Sequence, residues 1–245
     1  MRYLVVSDIH SNIVAFEAVL EDTRRHGGFD RILCLGDIIG YGPWPNECIG
    51  LLREIDHIAV AGNHDWAAIN KISVNSFHSD AAAACLWNGS QLQTEHVSYL
   101  FNLPLTAIEG DFTLVHGSLR DPLWEYSLGP KSAKDNLDLL QTSFLLVGHS
   151  HLPMFFSEKT KGGELTELSF QPGSSFEVDQ KRTVLNPGSV GQPRDGDPRA
   201  SYVLYDSELR IANLYRAEYS IDLVQHEMVR VGLPPRMSER LREGW

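Results

Sequence analysis

The sequence is poor in cysteine, lacks long hydrophobic runs and has no excess of basic residues. Its 3 cysteines among 245 residues are an odd and sparse set, which is not typical of a disulfide framework. We interpret Cys34, inside the apolar run 32–35, as a buried hydrophobic residue. No run approaches the ~18 apolar residues that a membrane-spanning helix needs. The 32 acidic residues outnumber the 21 basic ones, and this net charge of −11 opposes non-specific nucleic-acid binding.

The first eight residues also lack the features of a secretory signal. They reach an acidic residue after only four apolar residues and contain no small-residue cleavage site. We therefore expect a cytoplasmic protein. The hydrophobic fraction of 42% and the charged fraction of 22% are typical of a soluble globular protein. The 10 histidines are many for this length and direct attention to bound metal cations.

The first half of the sequence alternates short β-branched runs with amphipathic helical patterns. The predicted strands span 3–7, 31–35 and 57–61, and the predicted helices span 12–25 and 45–53. This order is the pattern of a parallel sheet with crossover helices. Residues 65–102 contain no strand-like run and are predicted to be mostly helical.

The second half is rich in short strand patterns, for which antiparallel pairing is favoured. The predicted strands span 106–109, 111–115, 144–147, 153–157, 166–170, 182–185, 201–205 and 209–214. A last helix over 221–231 is predicted to end before Pro234-Pro235. Because no repeat or long linker is visible, we expect one domain over residues 1–245, with the helical insertion at about 65–102.

Blocks of Asp, His and Asn follow the predicted strands. The blocks are Asp8-Ile9-His10, Gly36-Asp37, Gly62-Asn63-His64-Asp65, His116-Gly117 and Gly148-His149-Ser150-His151. The first three follow strands of the parallel sheet, and ligands bind at the carboxyl edge of such a sheet. While the chain remains extended, Asp8 and His10 project to the same side because they are two residues apart. The same spacing recurs at His149 and His151.

Two Asp, one Asn and four His in these blocks form a candidate ligand set. A mixed nitrogen and oxygen set without thiolate suits Mn²⁺, Zn²⁺, Fe or Ni²⁺, whereas Ca²⁺ takes oxygen ligands only. Seven ligands are too many for one ion that keeps an open site. Two ions fit if one carboxylate bridges them.

The order of the five blocks resembles the signature of the calcineurin-like metallophosphoesterases. The later run Asn186-Pro187-Gly188-Ser189-Val190 resembles a loop of the small bacterial and archaeal phosphodiesterase branch of that family. The resemblance implies an α/β fold, specifically a four-layer α/β/β/α sandwich with two packed mixed β-sheets. It also implies a hydrolase with two divalent transition-metal ions per chain.

Carried over residue by residue, the family pattern assigns the ligands and the acid. It gives the first metal Asp8, His10, Asp37 and His151, and the second metal Asp37, Asn63, His116 and His149, with Asp37 bridging. In the family mechanism a metal-bound hydroxide attacks phosphorus in line, and His64 protonates the leaving oxygen. We add the hypothesis that Asp65 orients His64 by accepting a hydrogen bond from its ring.

The substrate is expected to be a small, nucleotide-like phosphate ester. Aromatic and cationic residues near the blocks could stack a base or bind a phosphate. These candidates are Tyr41, Trp44, Arg120, Trp124, Tyr126, Gly188 and Arg194. We also expect the run from Asn186 to Arg194 to line the substrate groove. The alternative is that these residues pack against the rim of the site or against a partner subunit. In the second case the protein would be a homo-oligomer.

Phosphodiester hydrolysis is the leading prediction, and a phosphomonoesterase or a dinucleoside polyphosphate hydrolase is the alternative. A non-catalytic protein-binding scaffold, as in the retromer subunit family, is the alternative of another class. That scaffold has degraded metal ligands, whereas all seven ligands and His64 are intact here. Asn88-Gly89-Ser90 is interpreted as a turn. The histidines outside the blocks are interpreted as surface residues or as core residues with satisfied hydrogen bonds; they are His26, His57, His78, His96 and His226.

Overall fold

Two six-stranded sheets form the centre of the structure, a computed structural model that describes residues 1–178 and 182–245. The strands are β1 (Arg2–Val6), β2 (Arg31–Cys34), β3 (His57–Ala59), β4 (Thr106–Glu109), β5 (Phe112–Val115), β6 (Phe144–Leu146), β7 (Pro153–Glu158), β8 (Leu165–Leu168), β9 (Ser175–Glu177), β10 (Arg182–Pro187), β11 (Ala200–Asp206) and β12 (Ile211–Ala217). The first sheet has the order β3-β2-β1-β11-β12-β9 and the second β4-β5-β6-β10-β7-β8.

Each sheet contains a parallel core of three strands. The strands β1, β2 and β3 run parallel in the first sheet, as do β5, β6 and β10 in the second. All other pairs given for the described strands are antiparallel, so both sheets are mixed. Strands β1, β5 and β6 are short apolar runs buried on both faces, as strands covered by layers on both sides must be.

The helices form the outer layers. They are α1 (Ile13–Arg25), α2 (Pro45–Arg53), α3 (Asn63–Ala68), α4 (Ser79–Gln91), α5 (Thr94–Asn102), α6 (Gly129–Leu139), α7 (Ile221–Arg230) and α8 (Pro235–Glu243). The segment predicted to be helical contains α3, α4 and α5, together with a 3₁₀ turn at Val74–Ser76. None of the described helices is long and apolar enough to cross a membrane.

The apolar cores confirm the four-layer α/β/β/α arrangement. Val5, Leu33, Phe112 and Leu146 belong to a cluster that both sheets contribute to, so it lies between them. A second cluster joins the first sheet to α1, α2 and α5, and a third joins the second sheet to α6. Burial of one such large apolar side chain contributes about 1.5–3 kcal/mol. All three cysteines are free and buried.

Two helices were not predicted from the sequence. The helix α7 ends at Arg230, before Pro234-Pro235 as expected, but a further helix, α8, then begins at Pro235. A proline is tolerated there because the first turn of a helix has no partner for that N–H group. The other unpredicted helix, α6, begins at Gly129-Pro130, a pair that also favours a turn.

Candidate metal centre

Loops at the carboxyl ends of five parallel strands bring the seven predicted ligands together. Asp8 and His10 follow β1, Asp37 follows β2, and Asn63 follows β3 as the first residue of α3. From the second sheet, His116 follows β5, and both His149 and His151 follow β6. All seven side chains are buried, at most 5% exposed. Two groups that could each hold a metal ion result: Asp8, His10 and His151, and Asp37, His116 and His149.

The backbone at these residues turns sharply. The φ angles are 54° at Asp8, 49° at His10, 50° at Asp37, 64° at His149 and 61° at His151. This left-handed region costs a residue with a side chain of order 1–3 kcal/mol, and such strain clusters at functional sites. The expectation that Asp8 and His10 share a side because the chain is extended is therefore wrong. A left-handed turn brings them together instead.

The first group is arranged around two imidazole nitrogens that face each other. His10 Nε2 and His151 Nε2 are 3.1 Å apart, and Asp8 Oδ1 lies 3.7 Å from the former and 3.3 Å from the latter. His10 Nδ1 donates to the Ile39 carbonyl at 3.1 Å, and His151 Nδ1 donates to the Gln192 carbonyl at 2.5 Å. Each neutral ring therefore turns a lone pair toward the other. A cation between them would satisfy both, and Asp8 Oδ1, which has no hydrogen-bond partner, as well.

The second group also brings two imidazole nitrogens together, and a backbone carbonyl orients the ring of His116. His116 Nε2 lies 3.1 Å from both His149 Nδ1 and the Asn63 side-chain oxygen, while His116 Nδ1 donates to the Leu35 carbonyl at 2.8 Å. Backbone acceptors of this kind fix which nitrogen a metal ligand presents. Burial lowers the pKa of His149 to about 3. For His116, burial also lowers the pKa, but the Asp37 carboxylate more than offsets this and raises it to about 9.

Asp37 connects the two groups. Its Oδ2 lies 3.6 Å from His10 Nε2 and 3.4 Å from His116 Nε2, and its Oδ1 accepts from the His64 backbone N–H at 2.9 Å. Burial raises the pKa of Asp37, but His116 and His64 offset this and hold it well below its ordinary value. A β-carbon on Gly62 would approach Asp37 Oδ1 to 2.0 Å, so only glycine leaves room for this carboxylate. The donor set, imidazole nitrogen with carboxylate and amide oxygen, fits divalent transition-metal ions.

His64 lies beside the two groups of candidate ligands and lines the adjacent cavity. Its ring contacts those of Tyr41 and Phe77, at centroid distances of 4.5 and 4.6 Å. Its Nδ1 is buried without a hydrogen-bond partner, and burial lowers its pKa to about 4. The predicted hydrogen bond to Asp65 is not formed. Asp65 instead accepts from the backbone N–H groups of Ile39 and Gly62, at 3.1 and 2.9 Å, and so holds the loops together.

A cavity of about 280 Å³ opens beside the clusters. Four predicted substrate residues line it: Tyr41, Trp124, Tyr126 and Arg194. The ring of Tyr126 stacks on that of His149 at a centroid distance of 4.1 Å, and Trp124 contacts Phe77 edge to face at 5.3 Å. Aromatic walls thus lie directly next to the candidate ligands.

Three predicted substrate residues are not among the described residues that line this cavity. Trp44 packs in the apolar cluster under α7 and α8. Arg120 is exposed and pairs with Glu125 and with Asp135, the latter at 2.6 Å. The Gly188 N–H is already bonded to the Asn186 side chain at 2.9 Å, which leaves it no donor for a phosphate. The structure therefore does not place Trp44, Arg120 or Gly188 where the prediction needs them.

The run from Asn186 to Arg194 supports the ligands more than it lines the groove. The Ser189 hydroxyl and the Gly191 N–H both donate to the Asp8 carbonyl, at 2.8 and 2.9 Å. The Gln192 carbonyl holds His151. Only Arg194 of this run is among the described residues lining the cavity.

Sequence reasoning missed part of the cavity wall. Ser76, Phe77, His78 and Ala81 come from the helical segment, and Arg240 comes from α8. The prediction that His78 is a surface or core residue overlooked this position. The sequence pattern of residues 79–91 identifies a helix, α4, but does not show which other element that helix faces. Arg240 lies in a helix that was not predicted.

The chain resembles known phosphoesterases over most of its length. A model of the calcineurin-like phosphoesterase superfamily domain matches residues 1–209. The chain is 38% identical over 242 residues to the uncharacterized protein MJ0912 of Methanocaldococcus jannaschii, covering 97% of this chain and 96% of that protein. It is 28% identical over 220 residues to phosphodiesterase YfcE of Escherichia coli, covering 85% and 89% respectively.

A solved structure extends this likeness to the whole fold. A metallophosphoesterase from Sphaerobacter thermophilus is 43% identical, with a TM-score of 0.90 over 100% of this chain and 99% of that chain. The family match contains all five blocks from Asp8 to His151. Together with the two buried His and Asp groups, these findings confirm the resemblance in the sequence: the chain belongs to the calcineurin-like phosphoesterase superfamily.

Proposed function

We propose that the protein is a dinuclear, metal-dependent phosphodiesterase that acts on nucleotide-like substrates. The observation that carries the proposal is the position of Asp37 Oδ2, within 3.6 Å of a histidine nitrogen in each group. One carboxylate oxygen between two ligand groups supports a bridged pair of ions. Asp8, His10 and His151 would complete the first site, and Asn63, His116 and His149 the second.

The two ions, when bound, would supply the positive charge that activates water and neutralises the phosphate. The chain itself supplies rigid placement. Three ligand histidines are oriented by backbone carbonyls, and the left-handed turns at the ligands are fixed by the surrounding loops. Such preorganisation lets the site hold a phosphate in one orientation without rearranging during the reaction.

His64 is proposed to protonate the leaving oxygen. Its side chain lines the cavity, so the ring is placed to meet a substrate there. Because burial lowers its pKa to about 4, the ring is neutral in the free protein at pH 7. The negative charge of a bound phosphate beside it would favour the protonated form that donation requires.

The proposed preference for a substrate with an aromatic group rests on the cavity wall. Trp124, Tyr126 and Phe77 present ring faces and edges on which a base could stack. The phosphodiesterase name of the YfcE relative supports a diester substrate. The intact ligand groups disfavour the scaffold alternative.

A reconstituted substrate panel tests the proposal. Protein stripped with a chelator is loaded with Mn²⁺ or Ni²⁺ and assayed on bis-p-nitrophenyl phosphate, p-nitrophenyl phosphate, thymidine 5′-p-nitrophenyl phosphate and a dinucleoside polyphosphate. We expect metal-dependent cleavage with the highest kcat/KM on the thymidine diester. Faster cleavage of the monoester or polyphosphate would transfer the assignment to those activities. Two bound ions without turnover of any ester would overturn the enzyme assignment.

A further inference from the structure

Three arginines lie along a groove that begins at the candidate metal centre. Arg194 and Arg240 line the 280 Å³ cavity beside the histidines. Arg240 also lines a neighbouring cavity of about 180 Å³, together with Arg236. The two cavities have common walls and therefore adjoin; the shared residues are Tyr41, His78, Ala81 and Arg240.

No acidic side chain neutralises these arginines. Within residues 1–178 and 182–245, none of the three has an Asp or Glu oxygen within 4.0 Å. In contrast, Arg230 and Arg242 of the same C-terminal helices pair with Glu227 and Asp222. Three arginines without acidic side-chain partners beside one groove are unexpected in a chain with a net charge of −11. An anion in the groove would meet guanidinium groups that have no carboxylate side chain beside them.

The contacts of the two inner arginines fix their positions but leave donors free. Arg194 Nη2 donates to the Tyr41 hydroxyl at 3.3 Å and to the Gln192 side chain at 3.1 Å, and its Nε has no partner. Arg240 Nε donates to the main-chain oxygen of Trp245 at 2.5 Å. The remaining guanidinium N–H groups of Arg240 have no hydrogen-bond partner among the described residues.

The arginines are held near one another by the fold. The Gly196 N–H, two residues after Arg194, donates to the Gly244 carbonyl at the end of α8 at 2.9 Å. Burial lowers the pKa of Arg240, and the positive charges of Arg194 and Arg236 lower it further. The protein thus maintains a repulsive cluster that a bound anion would relieve through charge-assisted hydrogen bonds.

We propose that Arg194, Arg236 and Arg240 bind a second phosphate group of the substrate, beyond the phosphate ester that is cleaved. The inference rests on the proposed phosphodiesterase function and narrows its substrate class to nucleotides that carry an additional phosphate. Arg236 and Arg240 lie outside residues 1–209, the part matched by the family model. The proposed subsite therefore combines Arg194, from the part of the chain matched by the family model, with two arginines of α8.

A pair of substrates that differ by one phosphate tests the subsite. Thymidine 5′-p-nitrophenyl phosphate and its 3′-phosphorylated form have the same leaving group and the same base. We expect the 3′-phosphate to raise kcat/KM of the native enzyme about 10- to 100-fold, as one or two charge-assisted hydrogen bonds do. Arg240→Ala and Arg236→Ala should each reduce this ratio markedly. Arg242→Ala, on the same helix but paired with Asp222, is the matched control and should keep it.

A binding measurement makes the result independent of turnover. Calorimetry is carried out with thymidine 5′-phosphate, thymidine 5′-diphosphate and thymidine 3′,5′-bisphosphate. At least one of the two ligands with a second phosphate should bind more tightly than the monophosphate, and Arg240→Ala should abolish this difference in affinity. Equal affinity of native protein for all three, or a difference retained in both arginine variants, overturns the subsite. Failure of the proposed function would appear separately, as metal-loaded protein that cleaves neither ester.

Discussion

Replacement of Asp37 by Asn should disable both metal sites with one atom exchange. The amide keeps the volume of the side chain and an oxygen that can accept from the His64 N–H, but it removes the negative charge near His10 and His116. A bridging role predicts loss of both ions. His10→Asn, in contrast, should weaken mainly the site formed with Asp8 and His151.

The size of the effect follows from linkage. An ion at 100 times its Kd stabilises the folded state by about 2.7 kcal/mol. For a chain of this size each kcal/mol shifts Tm by about 2–4 °C, so each ion should add roughly 5–11 °C. Native protein should gain about twice that increment on metal addition, His10→Asn about one increment and Asp37→Asn almost none. Thermal unfolding with and without Mn²⁺, together with elemental analysis, measures these increments.

Asp65→Asn is the matched control, since Asp65 is a buried neighbour that belongs to neither ligand group. It accepts two backbone hydrogen bonds, so its replacement should lower Tm with and without metal by similar amounts. The metal-dependent increment should remain native. If Asp37→Asn retains the native increment and two bound ions, Asp37 does not bridge.

Three further replacements test the cavity. His64→Ala should keep both ions and slow diester hydrolysis by about 10²–10⁴-fold, more for an alkoxide than for p-nitrophenolate; lost metal would make His64 a ligand. Gly40→Ala places a β-carbon 2.6 Å from His64 Nδ1, at a residue whose φ is +101°. The His64 ring must then shift, so kcat should fall while the metal content stays unchanged. A native kcat in this variant would refute the contact. Trp124→Ala should raise KM for a thymidine diester but not for bis-p-nitrophenyl phosphate, whereas equal effects would remove its stacking role.

The candidate ligands were predictable because they depend on topology. Short apolar runs followed by Asp or His identify strand ends, and parallel strands bring their carboxyl ends to one edge. Asp8, Asp37 and Asn63 follow neighbouring strands of one sheet, and His116 and His149 follow neighbouring strands of the other. A residue that directly follows one of these strands could therefore be placed at the carboxyl edge of the sheet from the sequence alone. The local geometry did not follow, because left-handed turns at Asp8 and His10 cannot be read from an alternating pattern.

The cavity wall was less predictable because it depends on packing between distant segments. Arg120 is closer to the candidate ligand His116 in sequence than Trp124 is, yet it pairs with Asp135 on α6, a helix that was not predicted. Arg240 reaches the site because Met237 and Leu241 of α8 pack in one buried cluster with α7. No local pattern specifies such a contact.

Asn88 shows how the helical segment is coupled to the candidate metal centre. The prediction of a turn at Asn88 is wrong, since the residue lies within α4 and is fully buried. Its side-chain oxygen accepts from the Ser11 hydroxyl at 2.5 Å and from the Gly40 N–H at 3.1 Å, and its amide nitrogen donates to the Gly42 carbonyl at 3.0 Å.

These bonds join α4 to the loops that follow β1 and β2, which carry His10 and Asp37. The same helix supplies Ala81 to the cavity wall. Because one buried amide holds both loops against α4, movement of that helix would displace the candidate ligands and the cavity wall together. The helical segment is therefore part of the structural support of the candidate site.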